Sequence, residues 1–252
     1  MRFHTLDLSV RGHLGEIRLD CAPRRNPIDA EFVAELDRAA AQLHDSGTVR
    51  VVILSAAGDV FSSGIEFAGR LDEVFPAGSL PFRCLELMAQ PVIACIQGDA
   101  IGAGLELALA CDLRVAAGHA MFALPDVTMG TMVSGGATQR LPRLIGRARA
   151  AEMILLGRPI DAPTAAAYGL VNHVAPAADA RAEVERLAAA IAARGPLAVR
   201  YAKEAMLRGA DMPLDQALRY ETDLTVILQT TDDRAEGVDA FLQKRDAHFE
   251  GR

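Results

Sequence analysis

The 252-residue chain has no tryptophan and only 3 tyrosines and 9 phenylalanines, against 46 alanines. A core so short of large rings must be filled by Ala, Leu, Val and Ile, which favours closely packed helices over an aromatic-rich β-barrel. Positive charge is also scarce, because 26 Lys and Arg face 33 Asp and Glu and leave a net charge of -7. A general nucleic-acid binder needs a basic face to displace phosphate counterions, so that class is set aside, although a local basic patch for one anionic ligand remains open. No run approaches the roughly 18 uninterrupted apolar residues of a membrane span. Met1 to Val10 carries charge where a signal peptide has its apolar block. The expectation is a cytoplasmic protein with neither a nucleic-acid partner nor a membrane partner.

Cysteine is sparse too. Cys21, Cys84, Cys95 and Cys111 form no C-x-x-C pair and have no histidine at ligand spacing, so they read as buried free thiols and no metal is expected. The 6 histidines are scattered singly. What is present is a composition of 51% hydrophobic and 23% charged residues, enough for one large core or two small ones. The fold class expected is α/β, rich in helix.

Residues Phe3 to Val10 and Leu14 to Asp20 alternate as a hairpin through Gly12. Asp29 reads as the N-cap of a helix with Phe32, Leu36, Ala40 and Leu43 on one face. The runs Val49 to Ser55, Pro91 to Gln97 and Asp112 to Ala116 read as buried strands, the last preceded by a short apolar helix from Gly102 to Ala110. Strands separated by helical segments imply parallel pairing through crossovers. Beyond Arg147 strand-like runs nearly vanish and helices are expected at 148–156, 162–168, 176–194, 197–208, 214–229 and 233–245. Their apolar faces are too broad for a free appendage, so this tail must pack on its own body or on a neighbouring subunit.

Two glycine-rich turns follow predicted strands, Ser62-Ser63-Gly64-Ile65-Glu66 and Gly98-Asp99-Ala100-Ile101-Gly102-Ala103-Gly104. Backbone N–H groups in such turns, with the positive end of the helix starting near Gly102, could form a two-donor oxyanion hole. The third glycine of a dinucleotide fingerprint and the G-K-[ST] of a P-loop are both missing. Two acids stand out in apolar surroundings: Glu106 within Ile101 to Ala110, and Asp126 after Leu124-Pro125. A buried carboxylate is costly unless it is paired, hydrogen-bonded or functional. Two such acids can be tuned apart for acid and base work on one substrate. The plainer alternative makes Glu106 a hydrogen-bonded core acid and Asp126 a turn residue.

Taken in order, these motifs resemble the crotonase superfamily, the enoyl-CoA hydratase and isomerase family, over essentially the whole chain. The resemblance rests on Phe61-Ser62-Ser63-Gly64-Ile65-Glu66, on Gly98 to Ala108, and on Cys111-Asp112, Leu124-Pro125-Asp126, Gly130-Thr131 and Thr138-Gln139-Arg140-Leu141. The ending Phe241-Leu242-Gln243-Lys244-Arg245 with Gly251-Arg252 is also similar. It implies a crotonase-like spiral of ββα units over residues 1–195, and a C-terminal helical region over 196–252 that assembles homotrimers, commonly stacked as hexamers. It implies an acyl-CoA thioester as substrate, with coenzyme A part of that substrate and no separate cofactor. By motif position the oxyanion donors are the N–H groups of Ile65 and Ala103, and the acid–base pair is Glu106 and Asp126. The resemblance places Arg25 (or Arg24), Pro27, Ser63, Gly64, Glu66 and Gly102 along the substrate, the N–H near Ser134 at a held water, and Lys244 within reach of CoA phosphate.

Water addition to a conjugated thioester, or movement of its double bond, puts negative charge on the thioester oxygen, and one well-aimed donor there is worth roughly 3 to 4 kcal/mol. Because backbone supplies the donors, Ile65 and Ala103 need not match the family's usual small residues, though the branched Ile65 narrows the acyl pocket. The sequence departs from the family pattern at Asp126, where a standard hydratase carries Glu; the carboxylate is set back by about 1.5 Å, and displacements near that size cost about a hundredfold in rate. The family's P-G-A-G-G turn has become Val133-Ser134-Gly135-Gly136-Ala137. The leading expectation is hydration of a 2-enoyl-CoA or the reverse dehydration. The alternatives are a double-bond isomerase and a catalytically silent CoA-binding subunit.

Overall fold

The computed structural model describes residues 3–65 and 71–252. The opening alternation forms the expected hairpin, with β1 (Leu6–Arg11) antiparallel to β2 (Leu14–Leu19). Helix α1 (Ala30–His44) follows, its N-cap Asp29 accepting from the Phe32 N–H at 2.9 Å. Such a cap is worth about 1 kcal/mol. Phe32, Leu36, Ala40 and Leu43 are buried on its inner face, as their spacing predicts.

The chain then repeats one plan three times: a strand in a six-stranded sheet, a three-residue strand in a second sheet, and helix. The first turn is β3 (Val51–Ala56), β4 (Val60–Ser62) and the short helices α2 (Leu71–Val74) and α3 (Arg83–Glu86). The second is β5 (Val92–Ile96), β6 (Asp99–Ile101) and α4 (Ala103–Leu109). The third is β7 (Leu113–Ala117), β8 (Met121–Ala123), a 3-10 turn at Pro125–Met129, α5 (Ala137–Ile145) and α6 (Arg147–Leu156). Then β9 (Ile160–Asp161), α7 (Ala162–Tyr168) and β10 (His173–Ala175) complete the sheets, before α8 (Ala180–Ala192), α9 (Pro196–Gly209), α10 (Leu214–Leu228) and α11 (Asp232–Gln243). The six-stranded order is β1-β2-β3-β5-β7-β10 and the four-stranded order β4-β6-β8-β9. From β2 onward the first sheet is parallel throughout. This is the ββα spiral.

The apolar runs that announce β3, β5 and β7 exist because that sheet is covered on both faces. Val51, Ile53, Ile93, Cys95 and Val115 face Val184, Ala188 and Ala192 of α8. The alternate residues Val52, Leu54, Ala94, Ile96 and Ala116 enter the larger core with Phe32, Phe61 and Phe122. Large rings are few, but several of those present sit fully buried at that centre.

The structure corrects the reading in three places. The two glycine-rich turns contain strands, since β4 and β6 run through them. Three residues are too few for a period to show. Helix α5 forms in a stretch to which the sequence pattern assigns no element, with Pro142 inside it and Leu141 and Ile145 buried. Beyond Arg147 two short strands, unassigned from the sequence, remain: β9 pairs with β8 and β10 with β7. All four cysteines are free; Cys95 and Cys111 are buried, with burial pushing their thiols up to about 11 and about 12, whereas Cys21 and Cys84 are only half-buried.

The C-terminal helices are fastened to the body by a buried cation. Lys203 on α9 donates to Asp112 Oδ2 at 2.7 Å and to the Gln90 carbonyl at 3.0 Å, while Asp112 Oδ2 also accepts from the Val92 N–H at 2.7 Å. Beyond that anchor, α10 and α11 leave Leu214, Val226, Phe241 and Leu242 exposed. Among the described residues, no helix is long and apolar enough to cross a membrane.

Candidate active site

Three of the four short strands of the second sheet end at residues singled out from the sequence. β4 leads to Gly64-Ile65, β6 to Gly102-Ala103, and β8 to the 3-10 turn that carries Asp126. The three strands are neighbours, pairing Ser62 with Ala100 and Ile101 with Ala123. Residues far apart in sequence are therefore brought side by side by the sheet.

A Cβ on Gly64 would lie 2.6 Å from the Ile101 carbonyl and 3.2 Å from the Ala103 nitrogen, which shows how closely the two turns approach and why the position excludes a side chain. Ala103 is the first residue of α4, so its N–H has no acceptor within the helix. Gly104 lets the helix settle onto β4, since a Cβ there would sit 2.6 Å from that of Ser62. The Gly102 N–H donates to Ala123 at 2.8 Å and ties the start of α4 to β8.

On the other side of the first turn runs the segment after β2. Ser63 N–H donates to the Arg25 carbonyl at 2.9 Å, Ile28 N–H to the Gly64 carbonyl at 2.8 Å, and Pro27 bridges Gly64. Asn26, which the sequence reading did not single out, holds this junction. Its Nδ2 donates to the Ala57 and Val60 carbonyls at 2.8 and 2.9 Å, its Oδ1 accepts from Cys21 N–H at 2.9 Å, and its carbonyl accepts from Ser62 Oγ at 2.7 Å. Asn26 sits at φ 51, a conformation Asn tolerates better than most residues. An Asn before Pro27 was the only signal in the sequence.

Glu106 is 1% exposed on α4. Its carboxylate accepts from the N–H groups of Gly135 and Ala137, both at 2.8 Å. Burial pushes its pKa above the usual carboxylate range; these N–H groups, with a contribution from that of Ser134, oppose the rise, and the nearby Asp126 charge adds to it. Asp126 is also raised, by burial, and its Oδ2 is buried with no hydrogen-bond partner among the described residues. That oxygen lies beside Gly102, 3.8 Å from where a Cβ there would be. One acid is thus cradled by N–H groups of another segment that favour its ionised form, whereas the other is opposed in its rise only by its own backbone N–H and keeps Oδ2 unpartnered.

Of the other residues expected along the substrate, Pro27 is buried, Ser63 and Ser134 are half-buried, and Arg25 is exposed. Glu66 lies outside the described residues. Lys244 sits exposed at the C-cap of α11, with no hydrogen bond or ion pair to any of these residues among those described. The pair Arg140 and Glu86, standing behind the Gly135-Gly136 turn, was also unread, Arg140 having been noticed only as part of a motif.

Comparison with known proteins agrees with this fold. The family model for enoyl-CoA hydratase/isomerase matches residues 10–252. The chain belongs to that family. Its relatives include the YngF protein of Bacillus subtilis, 40% identical over 247 residues and 95% of each chain. A crotonyl-CoA hydratase from Syntrophomonas wolfei is 34% identical over 99% of both chains. The crystal structure of an enoyl-CoA hydratase from Bacillus anthracis superposes with a TM-score of 0.94 at 36% identity, covering 99% of this chain and 100% of that one. The protein is accordingly an enzyme of the crotonase fold, and an acyl-CoA fits its family.

Proposed function

We propose that this enzyme adds water across the double bond of a 2-enoyl-CoA, or removes it from a 3-hydroxyacyl-CoA. The observation that carries this reading is the unequal pair, Glu106 held by backbone donors and Asp126 with a buried, unpartnered oxygen facing the turn that carries Ala103. In hydration, Glu106 as carboxylate takes a proton from water while the water oxygen bonds to C3 of the substrate. The C2–C3 π electrons move toward the thioester, whose oxygen gains negative charge between the N–H groups of Ile65 and Ala103. Asp126 in its protonated form, which burial favours, then delivers its proton to C2. Burial raises the pKa of Asp126 in the direction its role as acid requires, and the N–H groups on Glu106 favour its role as base against the burial that raises it.

The Syntrophomonas wolfei relative, named crotonyl-CoA hydratase, supports hydration as the reaction class. The exposed Leu214, Val226, Phe241 and Leu242 support a homotrimer or hexamer, in which Lys244 reaches the CoA phosphate of a neighbouring subunit. Incubation of the protein with a panel of 2-enoyl-CoAs in heavy-oxygen water tests the reading. The expected product is a 3-hydroxyacyl-CoA carrying the label. A shifted double bond without label would mean isomerisation instead, and binding with no turnover on any chain would mean a silent subunit.

A further inference from the structure

The turn that holds Glu106 is itself held from behind. Arg140 on α5 donates through Nη1 to the Gly135 carbonyl at 2.6 Å, through Nη2 to the Pro81 carbonyl at 2.9 Å, and through Nε to Glu86 Oε1 at 2.5 Å. Glu86 in turn accepts from Arg83 Nη1 through its other oxygen at 2.6 Å. Each nitrogen of the Arg140 guanidinium donates one hydrogen bond, and its carboxylate partner is fixed by a second guanidinium.

The two glycines between Glu106 and Arg140 face opposite ways. A Cβ on Gly135 would lie 2.7 Å from Glu106 Oε2, and one on Gly136 would lie 2.1 Å from Arg140 Nη1. A single thickness of backbone therefore separates the carboxylate from the guanidinium, pinned on one side by the N–H groups of Gly135 and Ala137 and on the other by the Gly135 carbonyl. We infer that Arg140, oriented by Glu86, is a positioning residue that fixes the 134–137 turn so that its N–H groups stay aimed at the Glu106 carboxylate. Arg140 touches no reacting atom in this scheme. Its consequence for turnover rests on the proposed role of Glu106, but its effect on the carboxylate does not.

Among the described residues, the charged groups facing Glu106 are few. Asp126 approaches from the turn after β8, the 134–137 N–H groups cover the carboxylate, and Arg140 with Glu86 lies one backbone layer beyond. Loss of Arg140 should let the turn relax and weaken the N–H bonds, disfavouring ionised Glu106. The test is Glu106 titration followed by carbonyl-carbon NMR on glutamate-labelled protein, with Glu106→Gln identifying the resonance. Arg140→Gln is expected to move the Glu106 midpoint upward by about one pH unit, a shift expected of a lost charge-assisted contact. Arg140→Lys should move it less.

Arg140 borders a cavity of about 480 Å³ with Leu80, Leu207 and Asp211 in its walls. Added guanidinium ion can therefore refill the site in Arg140→Ala and bring the midpoint part of the way back. A merely structural role would lower the melting temperature without moving the titration. An unmoved Glu106 midpoint in folded Arg140→Gln, or no restoration by guanidinium in folded Arg140→Ala, overturns the proposal. A shifted midpoint in a protein whose wild type turns over no enoyl-CoA would leave the positioning role standing and remove the proposed reaction. If Arg140→Gln does not fold, Glu86→Gln, which loosens the fork from outside, carries the same test with a smaller shift.

Discussion

Replacing Glu106 by Gln keeps its volume and removes only its charge and basicity, so the structure allows the effects on stability and on rate to be separated. The carboxylate now accepts from two N–H groups at 2.8 Å. An amide can offer its oxygen to one of them, but its NH₂ group then faces the other, leaving a buried donor unmatched at a cost of about 1 to 3 kcal/mol. Against this, the side chain is 1% exposed and burial pushes its pKa upward, so removing the charge relieves a desolvation cost of opposite sign. The two oppose one another, and for a chain of this length each net change of about 1 kcal/mol moves the melting temperature by roughly 2 to 4 °C. Turnover has no such compensation. Loss of a general base should lower kcat by about a hundred- to ten-thousandfold, which is roughly 3 to 5 kcal/mol of transition-state stabilisation, with KM changed little. The assay is the loss of conjugated-thioester absorbance with crotonyl-CoA, or with whichever 2-enoyl-CoA the panel shows to be best, alongside a thermal melt. A folded variant that keeps turnover within about threefold of wild type would refute the base assignment, since general-base effects lie far above that.

Asp126→Glu advances the second carboxylate by about one C–C bond, and should raise crotonyl-CoA hydration at least roughly threefold if the short acid is what limits it; a fall would mean that the setback suits a bulkier acyl group. Asp126→Asn tests the buried acid through stability. Because the folded pKa lies above the ordinary value of 3.8, the stabilising contribution of the neutral acid is present below 3.8 and is lost as pH rises through the folded value. The melting temperature of the Asn variant relative to wild type should therefore be more favourable at pH 8 than at pH 4, and equal differences at the two would contradict the environment assigned to Asp126. Lys203→Ala leaves Asp112 without its cation and the Gln90 carbonyl without a donor; with Asp112 partly exposed, the loss should be near 3 kcal/mol, the low end for a broken buried pair, read from urea unfolding. A loss under about 1 kcal/mol would place the anchoring of α9 elsewhere.

How much of this was legible in the sequence follows from what kind of contact carries each part. β3, β5 and β7 were readable because helices or core cover both faces of their sheet, and that demands unbroken apolar runs. β4, β6 and β8 were not, since three residues cannot display an alternation and their content looks like glycine-rich turn. Helix α5 was hidden by Pro142 and by Arg140, whose partner Glu86 lies elsewhere in the chain. Glu106 stood out because an acid in the middle of Ile101 to Ala110 breaks the expected pattern. Its donors, Gly135 and Ala137, carry no side-chain chemistry to notice. Asn26 and Arg140 act through backbone carbonyls distant in sequence, so nothing local betrays them.

The parallel pairing of β4, β6 and β8 has a metrical consequence. Adjacent strands are spaced about 4.8 Å apart, and two donors that converge on one oxygen at about 2.9 Å each must stand no more than about 6 Å from one another. The proposed donors leave neighbouring strands, and Asp126 leaves the next. The ruler of the site is therefore the interstrand hydrogen bond itself, a distance no side-chain substitution can retune. Evolution of such an enzyme toward new acyl chains is left to the loops and walls, while the gauge that fits a thioester oxygen stays fixed by the sheet.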